Sequence, residues 1–362
     1  MDNTRKQLYQ QLEQTIGNTP LVLYPQKLSN GNQLFIKEEC RNPFGSHYDR
    51  VYLELFQQFE NSGKIKQGDK VLETTSGTAG VSFAGIGKLL GFDCHVAIPL
   101  GVDQVIIEEI RKQGAELYFT PEKDYVSGFP LFLIQFLSEH KGEFIFLNHS
   151  MGKRSGSAYL NNPLTLVALR KIGEEVVQQM KNGVQNKMQN GYDLTVDYFL
   201  PAVGNGSTIL GPAPAFEGLS TKIIAYESFQ AAVVYDLLQP EKYQQEYGIA
   251  PGSLPRHKLR GTSYQGIDFP HIRNAVAQQL IFDSVLVSDR EIDANYFAAT
   301  GRNDTLQLPH WDDQVFEELQ LEYGRSTRAG IAVAQQLSKK VEGKNFVIMA
   351  YDTIERYDVW EK

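Results

Sequence analysis

Apolar residues return along this chain with two periods. From Val51 through Leu53, Leu55, Phe56 and Phe59 the spacing is roughly helical, and Gly63 follows where a residue beyond a helix C-terminus sits. Leu8, Leu12 and Ile16 share one face of a predicted N-terminal helix over residues 4–16. Short apolar runs bounded by turn residues predict strands at Leu34–Lys37, Val71–Glu73, Cys94–Pro99, Ala115–Phe119, Phe144–Leu147, Tyr198–Val203, Ile223–Glu227, Val285–Asp289 and Phe346–Met349. Helices are predicted from Val81 to Leu90, around Val105 to Arg111, and from Leu164 to Met180. Strands and helices alternating at these lengths predict an α/β fold with parallel sheets covered on both faces. Met151–Pro163 and Asn303–Asp313 read as loops, Lys181–Asp193 as a solvated connection, and Leu237–Pro251 as a surface insertion.

Four loops interrupt this pattern with residues suited to chemistry. Asn42-Pro43-Phe44-Gly45 forces a turn, and Ser46 to Arg50 then open a helix facing a cleft. After the strand Val71–Glu73 comes Thr74-Thr75-Ser76-Gly77-Thr78-Ala79-Gly80, where a helix start offers free backbone N–H groups to a carboxylate or phosphate. Gly204-Asn205-Gly206-Ser207-Thr208 follows another strand, and small residues with hydroxyls suit close approach to phosphate oxygens. Tyr323 to Gly330 precede an Ala-rich helix. The Thr74–Gly80 and Gly204–Thr208 loops also read as ordinary strand-to-helix turns. His149 suggests a general base, although a single histidine after a strand is more often a structural hydrogen-bonding group.

A net charge of −8 argues against a nucleic-acid partner. The length of 362 residues suits two lobes. Two cysteines, Cys40 and Cys94, make no disulfide framework and point to a reducing compartment. No run approaches the ~20 apolar residues of a membrane span. The polar N-terminus lacks a signal core, so a cytoplasmic location is expected.

Lys37-Glu38-Glu39-Cys40-Arg41-Asn42-Pro43-Phe44-Gly45-Ser46-His47-Tyr48-Asp49-Arg50 resembles the K-x-E-x-x-N-P-x-G-S-x-K-D-R motif of fold-type II pyridoxal-phosphate (PLP) enzymes, the cysteine synthase and cystathionine β-synthase group of the tryptophan synthase β superfamily. Ile16-Gly17-Asn18-Thr19-Pro20-Leu21 is similar to the entry segment of that family, Thr75 to Gly80 to its T-S-G-N-T-G loop, and Gly204 to Thr208 to its G-T-G-G-T loop. Pro255 to Ser263, Tyr323 to Gly330 and Glu355-Arg356-Tyr357 resemble its later runs, so the likeness covers nearly the whole chain in order.

The resemblance implies two α/β lobes, each a mostly parallel twisted sheet covered by helices, with the cofactor in the cleft between them. The expected division is residues 1–155, carrying the substrate loop, and residues 156–362, carrying the phosphate loop, with no appended regulatory module. It also implies that Gly204, Asn205, Gly206, Ser207 and Thr208 hold the PLP phosphate. Ser326 or Thr327 would receive the pyridine nitrogen. Thr75, Ser76 and Gly77 would hold the substrate carboxylate, and Asn148 would help grip the substrate. His257 and Lys258 fall in a run that is architectural in the family.

Two positions depart from the family. The lysine that forms the Schiff base and moves the Cα proton is Tyr48 here, and the asparagine at the ring hydroxyl is Thr78. A phenol forms no imine, and with an ordinary pKa of ~10 it serves as a base only if that value is strongly lowered. Lys37 and Lys153 do not match the anchor position. The implied function is a cysteine synthase-like protein, a homodimer. It would hold PLP or a PLP–amino acid adduct non-covalently, with lost or altered β-replacement or elimination chemistry on serine- or cysteine-type amino acids. Alternatives are an active lyase or synthase using another anchoring group, and a non-catalytic regulatory partner of a homologous enzyme. No metal is called for.

Overall fold

The computed structural model describes all residues except 153, 156–157, 184–193, 256–257, 260, 263, 265–266, 303–305 and 358–362. Lys153 and His257 therefore lie outside the described residues. The chain divides into two compact units. One is Met1–Thr19, Glu39–Leu169 and Asp352–Lys362; the other is Pro20–Glu38 and Arg170–Tyr351. The single cut expected between residues 155 and 156 does not describe this division. The strand Gln33–Lys37 pairs in parallel with Asn345–Met349, which draws an early segment into the second unit.

The first unit contains a four-stranded sheet in the order Glu116–Thr120, Asp93–Pro99, Lys70–Thr74, Phe144–Phe146, with every neighbouring pair parallel. Its two central strands are buried from Val71 to Thr74 and from Cys94 to Pro99, as strands covered on both faces are. Tyr48–Asn61 and Thr78–Leu90 are its central helices. Gly85 lets them approach the Asn42–Gly45 turn, since a Cβ built there would run into the Phe44 ring. The N-terminal helix is Asn3–Thr15, capped by Asp2, whose carboxylate accepts the Arg5 N–H at 2.8 Å.

The second unit carries a six-stranded sheet in the order Leu21–Leu23, Gln33–Lys37, Asn345–Met349, Tyr198–Leu200, Lys222–Ser228, Ile281–Val287. Only the first pair is antiparallel. Helix Arg290–Thr300 begins after Asp289, whose side chain accepts the Ile292 N–H. The expected surface insertion at Leu237–Pro251 instead contains the helix Lys242–Tyr247. Its Tyr243 is fully buried against Phe229 and Tyr247, so aromatic burial overrides the polar surroundings. Among the described residues no helix is long and apolar enough to cross a membrane.

Candidate functional site

In the first unit the turn before helix Tyr48–Asn61 is fixed by buried charges. Arg50 reaches both oxygens of Glu39, Nε to Oε2 and a terminal nitrogen to Oε1, each at 2.8 Å. Thr19 donates its hydroxyl to Glu39 Oε1 at 2.6 Å, and Asn42 donates to Oε2 at 3.0 Å. Asn42 Oδ1 in turn accepts the Gly17 N–H at 2.8 Å. Asp49 takes the Phe44 N–H at 2.7 Å and the Ser82 hydroxyl at 2.5 Å. So Asn42, Asp49 and Arg50 are spent on holding the loop, whatever residue stands at position 48.

Tyr48 is half-buried. Its own N–H donates to Ser46 Oγ at 3.0 Å, and its hydroxyl has no hydrogen-bond partner among the described residues. Burial, and then the nearby Glu73, push the phenol up to about 12. At neutral pH it is a hydrogen-bond donor and not a base. The His47 ring lies 4.1 Å from it, and burial lowers the His47 imidazole to about 4. His149 meets Tyr48 edge-on at 5.3 Å between centroids.

The Thr75–Thr78 loop sits between the strand Lys70–Thr74 and a helix that starts at Thr78, earlier than the apolar periodicity predicts. The Thr75 N–H is taken by Ala97 O at 3.0 Å and the Gly77 N–H by Thr75 Oγ1 at 3.1 Å. Donors for an anion therefore come from Thr78 and Ala79, whose N–H groups at the helix start lack intrahelical partners, while the Gly80 N–H goes to Gly77 O at 3.0 Å. Asn148 has φ of 57°, and its side-chain oxygen accepts the Met151 N–H at 3.2 Å, so this amide oxygen caps a turn.

In the second unit, Gly206 has φ of 88°, and a Cβ built there would lie 2.6 Å from the Ile272 backbone nitrogen. Only glycine fits that left-handed, close-packed position. Asn205 Oδ1 accepts from the Ser207 N–H at 2.9 Å and from its hydroxyl at 2.6 Å. Ser207 and Thr208 are buried, and Gly204 is half-buried at the head of the loop. Ser326 occupies the first turn of helix Arg325–Ser338, and its carbonyl accepts the Tyr226 hydroxyl at 2.8 Å. Thr327 lies against the sheet end, with Met349 O and the Tyr351 N–H each 3.4 Å from its hydroxyl. Of the two hydroxyls left open by the sequence, Ser326 is the less committed.

Among the described residues, the other lysines singled out, Lys37 and Lys258, are engaged in ion pairs. Lys37 is fully buried with Glu175 Oε2 at 2.6 Å and Gln179 Oε1 at 3.0 Å. Lys258 pairs with Glu291 at 2.5 Å. Sequence reasoning set His149 aside and missed Glu73 and Tyr52. All three are buried, with Tyr52 Oη 2.9 Å and Glu73 Oε2 3.3 Å from His149 Nδ1. A glutamate within an apolar strand run was the available signal.

The family described as pyridoxal-phosphate dependent enzyme matches residues 12–294. A cysteine synthase from Aquifex aeolicus is 24% identical over 351 residues, covering 94% of this chain and 88% of that enzyme. One from Staphylococcus aureus is 26% identical over 348 residues, covering 96% and 94%. The crystal structure of a hydrogen sulfide-producing enzyme from Fusobacterium nucleatum superposes with a TM-score of 0.73 at 22% identity, covering 96% and 99%, a likeness of fold.

Proposed function

Because the chain belongs to the pyridoxal-phosphate dependent enzyme family, we propose that it holds PLP without a covalent bond and acts on a small serine- or cysteine-type amino acid by altered cysteine synthase-like chemistry. In this reading Tyr48 stands where the family has its Schiff-base lysine. The observation that carries the reading is the intact loop around a neutral, unpartnered phenol: Glu39, Asn42, Asp49 and Arg50 keep their bonds, while no amine is offered at position 48.

The described residues fit a non-covalently held cofactor. The phosphate would lie on Gly204–Thr208, where the glycine at φ 88° admits close backbone approach and Ser207 and Thr208 supply hydroxyls. Ser326 would meet the ring nitrogen, and a hydroxyl there keeps the ring a weaker electron sink, which suits β-elimination and β-replacement. When bound, PLP supplies the sink for electrons released at the amino acid's Cα. Ser76 and the first turn from Thr78 would take the substrate carboxylate, favoured by the helix dipole. Thr78 offers only a hydroxyl where the family has an amide, so the ring hydroxyl would be less firmly held.

Calorimetry with PLP, followed by borohydride and intact-mass measurement, tests this. The expected outcome is saturable binding with no mass gain after reduction. A PLP adduct trapped on any lysine of the wild type would replace this reading with one in which the anchor has moved.

A further inference from the structure

The helix Tyr48–Asn61 and the strand Lys70–Thr74 bring Tyr52 and Glu73 together beneath His149. Tyr52 and Glu73 are fully buried, and His149 is 6% exposed. Glu73 Oε1 accepts the Thr74 N–H at 2.9 Å, and Oε2 accepts the His149 N–H at 3.1 Å. The Tyr52 hydroxyl lies 2.9 Å from His149 Nδ1. Thr165 donates its hydroxyl to the His149 carbonyl at 2.8 Å, so backbone and ring are both held.

The proton arrangement follows from what each group can do. Burial raises the Tyr52 phenol well above its ordinary range, with Glu73 and its hydrogen bond adding to the effect, so Tyr52 keeps its proton. Glu73 Oε2 stands 3.3 Å from His149 Nδ1, and a carboxylate only accepts, so it favours a proton on Nδ1. The phenol oxygen is then an acceptor for Nδ1–H of His149. The phenol and carboxylate oxygens, both facing Nδ1, set the tautomer and leave the lone pair on Nε2. No described residue takes Nε2. The Tyr48 ring stands 5.3 Å away between centroids, and its hydroxyl likewise has no partner among the described residues. The first unit thus offers a proton acceptor and a neutral donor on two rings in contact.

We propose that His149 Nε2 is the proton-transfer atom of the site, receiving the α-hydrogen of the bound amino acid, and that Tyr48 donates a hydrogen bond to the same ligand. The inference rests on the functional reading above and names the group that takes over the proton work of an absent lysine. The Cα–H bond breaks, the proton joins Nε2, and the electron pair stays on the amino acid. The imidazolium so formed keeps Nδ1–H on Tyr52, and the Glu73 carboxylate offsets its charge. The proton then returns from Nε2 to the amino acid. Tyr52 and Glu73 are positioning residues.

Three measurements test it. Diethyl pyrocarbonate on the apo protein at pH about 7, mapped by peptide mass, should modify His149 despite its burial, and PLP with L-serine should protect it. His140, a more exposed histidine, serves as control and should react equally in both samples. No reaction at His149 where His140 reacts overturns the proposal. Nitrogen-15 spectra of histidine-labelled protein should show the proton on Nδ1 of His149 in the wild type, and a mixture of tautomers in Tyr52→Phe and Glu73→Gln. A wild-type proton on Nε2 overturns it. Finally, deuterium uptake at Cα of L-serine with PLP should fall by about 100-fold or more in His149→Gln and about tenfold in Tyr48→Phe, with PLP affinity unchanged in His149→Gln. Full exchange in His149→Gln overturns the proposal. A wild type that binds no PLP sinks the functional reading instead, and the modification and tautomer results still judge His149.

Discussion

Ser82 donates its hydroxyl to Asp49 Oδ1 at 2.5 Å, tying the helix Thr78–Leu90 to the first turn of the helix Tyr48–Asn61. Burial outweighs this bond and the one from Phe44, and raises the Asp49 carboxyl to about 7. In the unfolded chain the same group titrates near ~3.9. Between those values the native state holds a proton that the unfolded chain has lost, so stability falls as pH rises. The contribution is complete below about 4 and gone above the folded value. Asp49→Asn should flatten the dependence of the urea midpoint on pH between about 4 and 7, where a tenfold difference in proton affinity between folded and unfolded chain is worth about 1.4 kcal/mol. An unchanged slope in the variant would assign the effect to other groups.

Arg50 and Glu39 form a buried pair whose side chains are 3% and 0% exposed. Removing one partner strands the other charge, which typically costs about 3–5 kcal/mol. Arg50→Ala should therefore lower unfolding free energy by that order, with Thr19 and Asn42 left to solvate Glu39 alone. Urea unfolding measures it, and a loss below about 1 kcal/mol would mean that the loop is not held this way.

The sheets, their parallel sense and several of the long helices were legible because apolar runs and turn residues report local structure, while the helices Phe129–Glu139 and Pro270–Ala277 were not predicted. The Gly204–Thr208 loop was legible for the same reason: a strand, glycines and hydroxyls stand in one short stretch. Tyr243 was misread because its neighbours are polar, and only packing against Phe229 reveals its burial. The Glu73–Tyr52–His149 chain was out of reach, since its members lie on different elements and no periodicity links them. The Thr75 and Gly77 N–H groups looked free in a small polar loop, yet the strand partner Ala97 and the Thr75 hydroxyl claim them.

Gly206 tests the phosphate loop. A side chain there meets the Ile272 backbone and a φ of 88°, so Gly206→Val should cost about 1–3 kcal/mol of stability and abolish PLP binding in calorimetry. Because misfolding alone would also remove binding, Ser207→Ala is the informative companion. It deletes a hydroxyl without touching the turn glycine, and should weaken PLP while leaving the urea midpoint within about 1 kcal/mol. Equal PLP affinity in wild type, Ser207→Ala and a folded Gly206→Val would reduce the loop to a turn.

Tyr48→Lys asks whether the loop still presents an anchor. The bonds that shape it run through Glu39, Asn42, Asp49 and Arg50, and none passes through the Tyr48 side chain, so the exchange should leave the backbone in place. The new amine would sit among His47, His149 and Glu73. Burial there lowers an ammonium's pKa while the carboxylate raises it, so a usable fraction of free amine should remain at mildly alkaline pH. With PLP the variant should turn yellow, and borohydride should fix one cofactor to position 48, read by intact mass and peptide mapping. Thr78 still lacks the amide that would steady the ring hydroxyl, so Tyr48→Lys with Thr78→Asn should bind PLP more tightly than either single variant. A Tyr48→Lys protein that stays colourless with PLP, while the wild type binds it, would place the cofactor's aldehyde away from this loop and remove Tyr48 from the site.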